Sequence, residues 1–229
     1  VGVDKNGAGV IGFYAERSHR IVPVDNCPIH PAWAKDIIDI FYAYMKQCRV
    51  RAYDEATGKG VLRHIVVRDV DGGFLTTAVT ATPELPSWEK LAGMIGEKFK
   101  VFSLWHNVNA GDGNGVFGNR WKLLEGKGKY SAHECGIRFE VGPNTFMQVN
   151  RSVCRKLYER TVRFATESGA KVAVDAYSGS GLLTAMLAKQ IGRAYGIEVV
   201  AEAVQCANDL IVPNKLEGKL INLCGKVED

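Results

Sequence analysis

The chain has 229 residues, which is enough for one large domain or two modest ones. Its 46% hydrophobic and 24% charged residues are ordinary globular proportions, so they exclude a disordered, collagen-like or coiled-coil chain. The net charge of +4 neither requires nor excludes a polyanionic partner. No apolar run approaches the roughly 20 residues of a membrane span, and the first residues do not resemble a signal peptide. We therefore expect a cytoplasmic protein without a membrane partner.

The first 139 residues predict a smaller α+β domain, in which antiparallel strands are mixed with helices. Apolar residues at steps of three and four between 31 and 47 are typical of an amphipathic helix. The acidic, glycine-ended turn at 69–72 favours a hairpin, and Ser87 is a plausible helix cap. The glycine- and asparagine-rich stretch 109–119 predicts a loop. The predicted elements are short strands before residue 30, helices at 31–47 and 87–98, and strands at 61–68, 73–81, 101–108, 121–124 and 137–141.

From residue 140 to residue 229 the pattern changes to helices that alternate with apolar strands. Such alternation predicts an α/β domain with a parallel sheet wound by helices. The predicted helices cover 151–168, 181–191 and 199–210, and the predicted strands cover 171–176, 194–197 and 219–223.

The strongest local signal lies where the first of these strands runs into a Gly-x-Gly turn that opens a helix. Gly179 and Gly181 let the backbone approach a ligand closely. Asp175 ends the first strand and Glu198 ends the second, where carboxylates can accept ribose hydroxyls. Thr184 occupies the position of the third glycine of a dinucleotide fold, which weakens an NAD interpretation. From this pattern alone, a methyl-donor site and an ordinary βαβ turn both remain open.

A family resemblance enters at residues 139–150, F-E-V-G-P-N-T-F-M-Q-V-N. This segment resembles the F-x-x-x-P-x-x-F-x-Q-x-N stretch of the RNA uracil-5 methyltransferases, which methylate C5 of uridine in tRNA or 23S rRNA. The resemblance continues through D-A-Y-S-G-S-G at 175–181 and Y-G-I-E at 195–198, and extends back to G-F-Y at 12–14 and D-N-C-P-I at 25–29. In all it covers most of the chain, in the order found in the family.

The resemblance implies a partial Rossmann-like S-adenosylmethionine-dependent methyltransferase domain at 140–229, preceded by an α+β central domain at 1–139. Its predicted donor contacts are Gln148, Tyr177 and Glu198, together with Gly179, Gly181 and Asp175. An amide can bind the amino-acid end of the donor, a ring can pack on it, and a carboxylate can accept two ribose hydroxyls.

The resemblance also implies RNA as the partner. Phe146 is a candidate to stack on RNA bases where the target uridine is flipped out. Leu182 stands where some relatives have Asn or Thr, and a leucine cannot hydrogen-bond the donor, so it is left out of the predicted site.

Among the six cysteines, Cys27 has the setting of the last of four [4Fe–4S] ligands in cluster-bearing members of the family. The other three ligands would lie upstream and are missing, so in this chain we expect Cys27 to be a free thiol. The family's nucleophilic Cys, its general-base Glu and its Asp-Pro-Pro-Arg motif would lie downstream. We therefore expect a fragment with no catalytic residue that does not methylate uridine alone, and we treat Cys206 and Cys224 as structural.

Two alternatives from other classes remain. The chain could be a non-catalytic RNA-binding or assembly module that keeps the methyltransferase fold. It could also be an NAD-dependent oxidoreductase, which Thr184 disfavours.

Overall fold

The computed structural model describes residues 1–18, 20–25, 27–111, 113, 115–148 and 150–228. Asn26 and Val149, which belong to the motifs quoted above, lie outside the described residues, as do two positions of the 109–119 loop. The contacts divide the chain into two compact units, Val1–Gly128 and Lys129–Asp229.

The described residues of the first unit form two helices and a four-stranded sheet whose strands are hydrogen-bonded in chain order. Its elements are β1 (Gly2–Val3), β2 (Gly9–Val10), β3 (Gly12–Tyr14), β4 (Ile21–Pro23), α1 (Trp33–Gln47), β5 (Leu62–Val70), β6 (Gly73–Thr80), α2 (Trp88–Lys98), β7 (Phe102–Val108) and β8 (Arg120–Glu125). The predicted hairpin is present, since β5 and β6 pair antiparallel across Asp71 and Gly72. However, β6 and β7 pair parallel, because the chain crosses over through α2 between them. The sheet is therefore mixed, where the sequence predicted antiparallel strands.

The core of this unit lies between the helices and one face of the sheet. Phe41 and Tyr44 of α1 are fully buried there, together with Leu91 and Ile95 of α2. The apolar residues whose spacing predicted α1 therefore form the face of the helix that packs into the core. Ser87 stands at the N-cap position of α2, as predicted, but it has a left-handed conformation (φ 51°) and its side chain makes no capping hydrogen bond.

The second unit is a hairpin followed by a parallel sheet with helices. Its elements are β9 (Tyr130–Glu134), β10 (Ile137–Val141), α3 (Arg151–Glu167), β11 (Val172–Asp175), α4 (Leu182–Ile191), β12 (Arg193–Glu198), α5 (Ala201–Asn208) and β13 (Leu220–Cys224). The strands β11, β12 and β13 pair parallel in that order, as the alternating pattern predicted. The sequence prediction assigned no strand to 130–134.

The hairpin of β9 and β10 belongs to the second unit through its packing. Ile137 is fully buried in one cluster with Ala185, Leu187 and Ala194. The contacts therefore place the division at Gly128, before the hairpin, whereas the sequence pattern placed it after residue 139.

Strand β11 lies at an edge of the three-stranded sheet, and its Val172 and Val174 are more than half exposed. Within the described part of the chain, no strand pairs with its outer side. Across the same described residues, none of the helices combines the length and apolar character that crossing a bilayer requires.

Candidate functional site

The turn between β11 and α4 is tied to the end of the neighbouring strand by the carboxylate of Glu198. The backbone N–H of Gly179 donates to Oε2 of Glu198 at 3.0 Å, and the N–H of Val200 donates to Oε1 at 2.8 Å. In the parallel register, Asp175 lies opposite Gly196, so the carboxyl ends of β11 and β12 are adjacent. The glycine turn and this half-buried acid therefore meet at the edge of the sheet where open α/β folds bind ligands.

Asp175 has a bond inside the same turn. The hydroxyl of Thr184, which is fully buried on α4, donates to Oδ2 of Asp175 at 2.7 Å. This bond links the last residue of β11 to the first turn of the following helix. The sequence analysis treated Thr184 only as a missing glycine, and its role as the partner of Asp175 was missed.

The two glycines of the turn have different surroundings. Both have positive φ, 54° at Gly179 and 79° at Gly181, which favours glycine. A Cβ added at Gly179 would meet nothing within 4 Å, whereas one at Gly181 would lie 2.6 Å from Cβ of Ala207 on α5. Gly179 thus leaves open space beside its amide, and Gly181 permits the close approach of two helices.

Because the two glycines have different surroundings, the same substitution is expected to cost more stability at Gly181 than at Gly179. Gly181→Ala is expected to destabilise the second unit by about 3 kcal/mol, because backbone strain adds to overlap with Ala207. Gly179→Ala is the matched control and is expected to cost about 1 kcal/mol from strain alone. Urea unfolding followed by circular dichroism measures both. Equal losses in the two variants would contradict the packing role of Gly181.

Three predicted ligand contacts have side chains that face solvent. Tyr177, just after β11, is 76% exposed, Phe146 is 69% exposed, and Gln148 is also exposed. Gln148 lines a cavity of about 280 Å³ together with Ser180 and Leu182 at the start of α4. Among the described residues, Tyr177 and Glu198 are not part of this lining. The structure thus brings Glu198 to the glycine turn and Gln148 to the start of α4, without a direct contact between these groups.

The same cavity has a buried ion cluster at one side that the sequence analysis missed. The side chain of Glu134, at the end of β9, is only 5% exposed. Its Oε2 accepts from Nη2 of Arg151 at 2.9 Å, and its Oε1 accepts from Nε of Arg155 at 2.7 Å. This hydrogen bond and the negative charge of Glu134 raise the pKa of Arg155. Glu134 therefore holds the first two turns of α3 against the hairpin.

The ion cluster of Glu134 with Arg151 and Arg155 clamps α3 to the hairpin. It is close in sequence to the segment that carries Phe146 and Gln148. Helix α3 begins at Arg151, and the side chain of Asn150 caps it by accepting from the N–H of Val153 at 3.1 Å. The ion cluster could not be found from local spacing, because its acid and its arginines belong to different elements.

The cysteines do not form a metal site in the described part of the chain. All six are free, and Cys27 is half-buried. The described residues contain no group of three or more His, Cys, Asp or Glu side chains placed to hold a metal. A single thiol does not fit a [4Fe–4S] cluster, which takes four thiolates, so no step is derived from one. Cys206 lies in α5, as predicted, and Cys224 is exposed at the end of β13.

Comparison with known proteins agrees with this fold. No family model matches the chain. A solved structure of the tRNA (uracil-54, C5)-methyltransferase of Pyrococcus abyssi, in complex with S-adenosyl-L-homocysteine, matches 98% of this chain and 54% of its own chain, with a TM-score of 0.77 and 20% identity. The chain thus shares the fold of this methyltransferase, and the predicted α/β fold class is confirmed.

Curated relatives match in sequence as well. A protein of Clostridium acetobutylicum named as an uncharacterized RNA methyltransferase is 31% identical over 97% of this chain and 49% of its own length. Another so named, from Halalkalibacterium halodurans, is 34% identical over 89% of this chain and 45% of its own length. By sequence the chain is similar to these RNA methyltransferases, and it spans about half of their length. The recognised relationship to RNA methyltransferases is confirmed.

Proposed function

We propose that this chain forms the donor-binding part of an S-adenosylmethionine-dependent RNA (uracil-C5) methyltransferase that acts on tRNA or 23S rRNA. The observation that carries this proposal is the carboxylate of Glu198, held at the end of β12 against the N–H of Gly179. An acid in this position beside a glycine turn suits a nucleoside with free ribose hydroxyls.

The residues around the turn have the chemistry that such a donor requires. Each carboxylate oxygen of Glu198 accepts one backbone N–H and keeps a further lone pair for a ribose hydroxyl. The exposed ring of Tyr177 can pack on the donor, and the amide of Gln148 can bind its amino-acid end. When bound, the donor supplies an electrophilic methyl group. Asp175, through Thr184, holds the turn in shape.

The RNA side of the proposal rests on the relatives and on Phe146. This ring is exposed in the segment before α3, where it is free to stack on an unpaired base. Stacking replaces the contacts that a uridine loses when it leaves its helix. We assign neither a nucleophile nor a general base among the described residues, and we propose that the isolated chain binds the donor without methylating uridine.

Titration calorimetry with S-adenosylhomocysteine tests the proposal on the chain as it stands. We expect binding to the wild type, no binding of NADH, and about tenfold weaker binding of S-adenosylhomocysteine by Tyr177→Ala, because stacking on the ring is lost. Phe164→Ala removes another exposed ring of the same unit and is expected to leave the affinity unchanged. Binding of NADH in place of S-adenosylhomocysteine, or of neither, would refute the proposed function.

A further inference from the structure

The first unit contains a groove that plays no part in the donor site. Its volume is about 560 Å³, and it lies between β1, β2, the end of α1 and the turn 54–60. Four basic side chains line it: Lys46, Arg49, Arg51 and Lys59. We call these four residues and the space between them the basic groove.

The charge of the basic groove is not balanced within the described chain. All four cations are exposed, and none of them forms an ion pair with a described residue. Among the described residues, Asp54 is the only acid in the lining. Its oxygens already accept the N–H of Ala56 at 3.0 Å and the hydroxyl of Thr57 at 2.7 Å. The described lining therefore contains four cations and one carboxylate, and this carboxylate already accepts hydrogen bonds within its own turn.

Stability of the fold explains only part of this arrangement. Lys46 lies in the last turn of α1, where a cation interacts favourably with the helix dipole. Arg51 and Lys59 lie beyond the helix. Arg49 follows the C-cap Cys48 with φ 54°, a left-handed position that glycine or asparagine would occupy at lower cost. An arginine at a strained position, beside three other cations that have no ion pair with a described residue, indicates a role in binding.

The lining also favours one class of partner. Its larger apolar residues, Met45, Val50, Tyr42 and Val3, are buried or half-buried, so nothing there could insert into a bilayer. The cations come from the end of a helix, the segment after it and a separate turn, and they stand around an open groove. Exposed cations spread in this way suit successive phosphates along a strand.

We propose that the basic groove binds the phosphate backbone of an RNA strand, as a contact that does not read sequence and is distinct from the donor site of the second unit. This inference rests on the proposed function for its choice of RNA. Such contacts position a nucleic acid and contribute salt-dependent affinity, because bound phosphates release counterions.

Fluorescence anisotropy with a labelled 20-nucleotide single-stranded oligouridylate, repeated over a range of KCl concentrations, tests this inference. The variant is Arg49→Gly/Arg51→Gln, in which glycine suits the backbone at position 49, so folding is retained. Loss of two phosphate contacts is expected to reduce the slope of log affinity against log salt by about 1.4, or about 25-fold in affinity at 0.1 M salt. The matched control, Lys90→Gln/Lys100→Gln, removes two exposed cations of the same unit that are outside the groove and is expected to keep the wild-type slope.

An unchanged slope in the groove variant, or an equal fall in the control, would overturn the inference. Binding of phosphatidylserine vesicles without binding of the oligouridylate would also overturn it. Calorimetry with S-adenosylhomocysteine on the same variant separates the two proposals, because the donor affinity is expected to stay at the wild-type value. A wild type that fails to bind S-adenosylhomocysteine would refute the proposed function, while the salt slopes would still decide on the groove.

Discussion

Glu198→Ala is expected to weaken binding of S-adenosylhomocysteine about 100-fold. Two hydrogen bonds from ribose hydroxyls to a carboxylate are lost. At the lower end of the range for bonds to charged groups, about 1.5 kcal/mol each, their sum of about 3 kcal/mol corresponds to a factor on the order of 100. The N–H groups of Gly179 and Val200 also lose their acceptors, so the turn loses the tie that holds it to β12. Titration calorimetry on the wild type and the variant gives the ratio of dissociation constants.

Two further variants distinguish the loss of the ribose hydrogen bonds from a change in the shape of the turn between β11 and α4. Glu198→Gln keeps one oxygen as an acceptor but removes the charge, and is expected to lose about tenfold in affinity. Glu202→Gln changes an exposed acid on α5 and is expected to bind as the wild type does. If Glu198→Ala and the wild type bind S-adenosylhomocysteine equally, Glu198 has no role in holding the ribose.

Arg151→Ala/Arg155→Ala is expected to destabilise the second unit by about 3–5 kcal/mol. The arginines themselves are 31% and 53% exposed, so their removal by itself costs little. The cost arises on Glu134, which is only 5% exposed and keeps its negative charge without a cationic partner. Urea unfolding followed by circular dichroism measures the loss.

Adding Glu134→Gln to that double variant tests the cause. Because the amide carries no charge, most of the lost stability is expected to return. Arg163→Ala provides the control on the same helix, since its pair with Glu167 is exposed on both sides and contributes less than about 1 kcal/mol. A double variant that loses no more than Arg163→Ala would show that Glu134 is not a buried clamp.

Most helices and strands were predictable from the sequence because their signals are local. The apolar spacing of α1 and the glycine-ended turn between β5 and β6 need only residues within a few positions of each other. Strand β9 was missed because its five residues, Y-S-A-H-E, carry little apolar alternation of their own. Its partner β10 and the core below it make it a strand, as tertiary context often overrides propensity.

The donor site was predictable in part for the same reason. Gly179 and Glu198 follow consecutive strands, and parallel strands place their carboxyl ends side by side. The converging roles of Gln148 and Tyr177 stay predictions: Gln148 lines the cavity of about 280 Å³, and Tyr177 is not among the described residues of that lining. The hydrogen bond from Thr184 to Asp175 became visible only in three dimensions, although it joins residues only nine positions apart.

Local order along the chain was thus sufficient for the alternating strands and helices of the second unit, for its glycine turn and for the acid at the end of β12. Three other features are visible only in the tertiary structure. They are the clamp of α3 by Glu134, the parallel pairing of β6 with β7 and the position of four cations around the basic groove. Each of these joins segments that are separated in sequence. A periodic pattern records which face of one element is apolar, but which distant elements meet is set by how their buried surfaces and charges fit together in the packed chain.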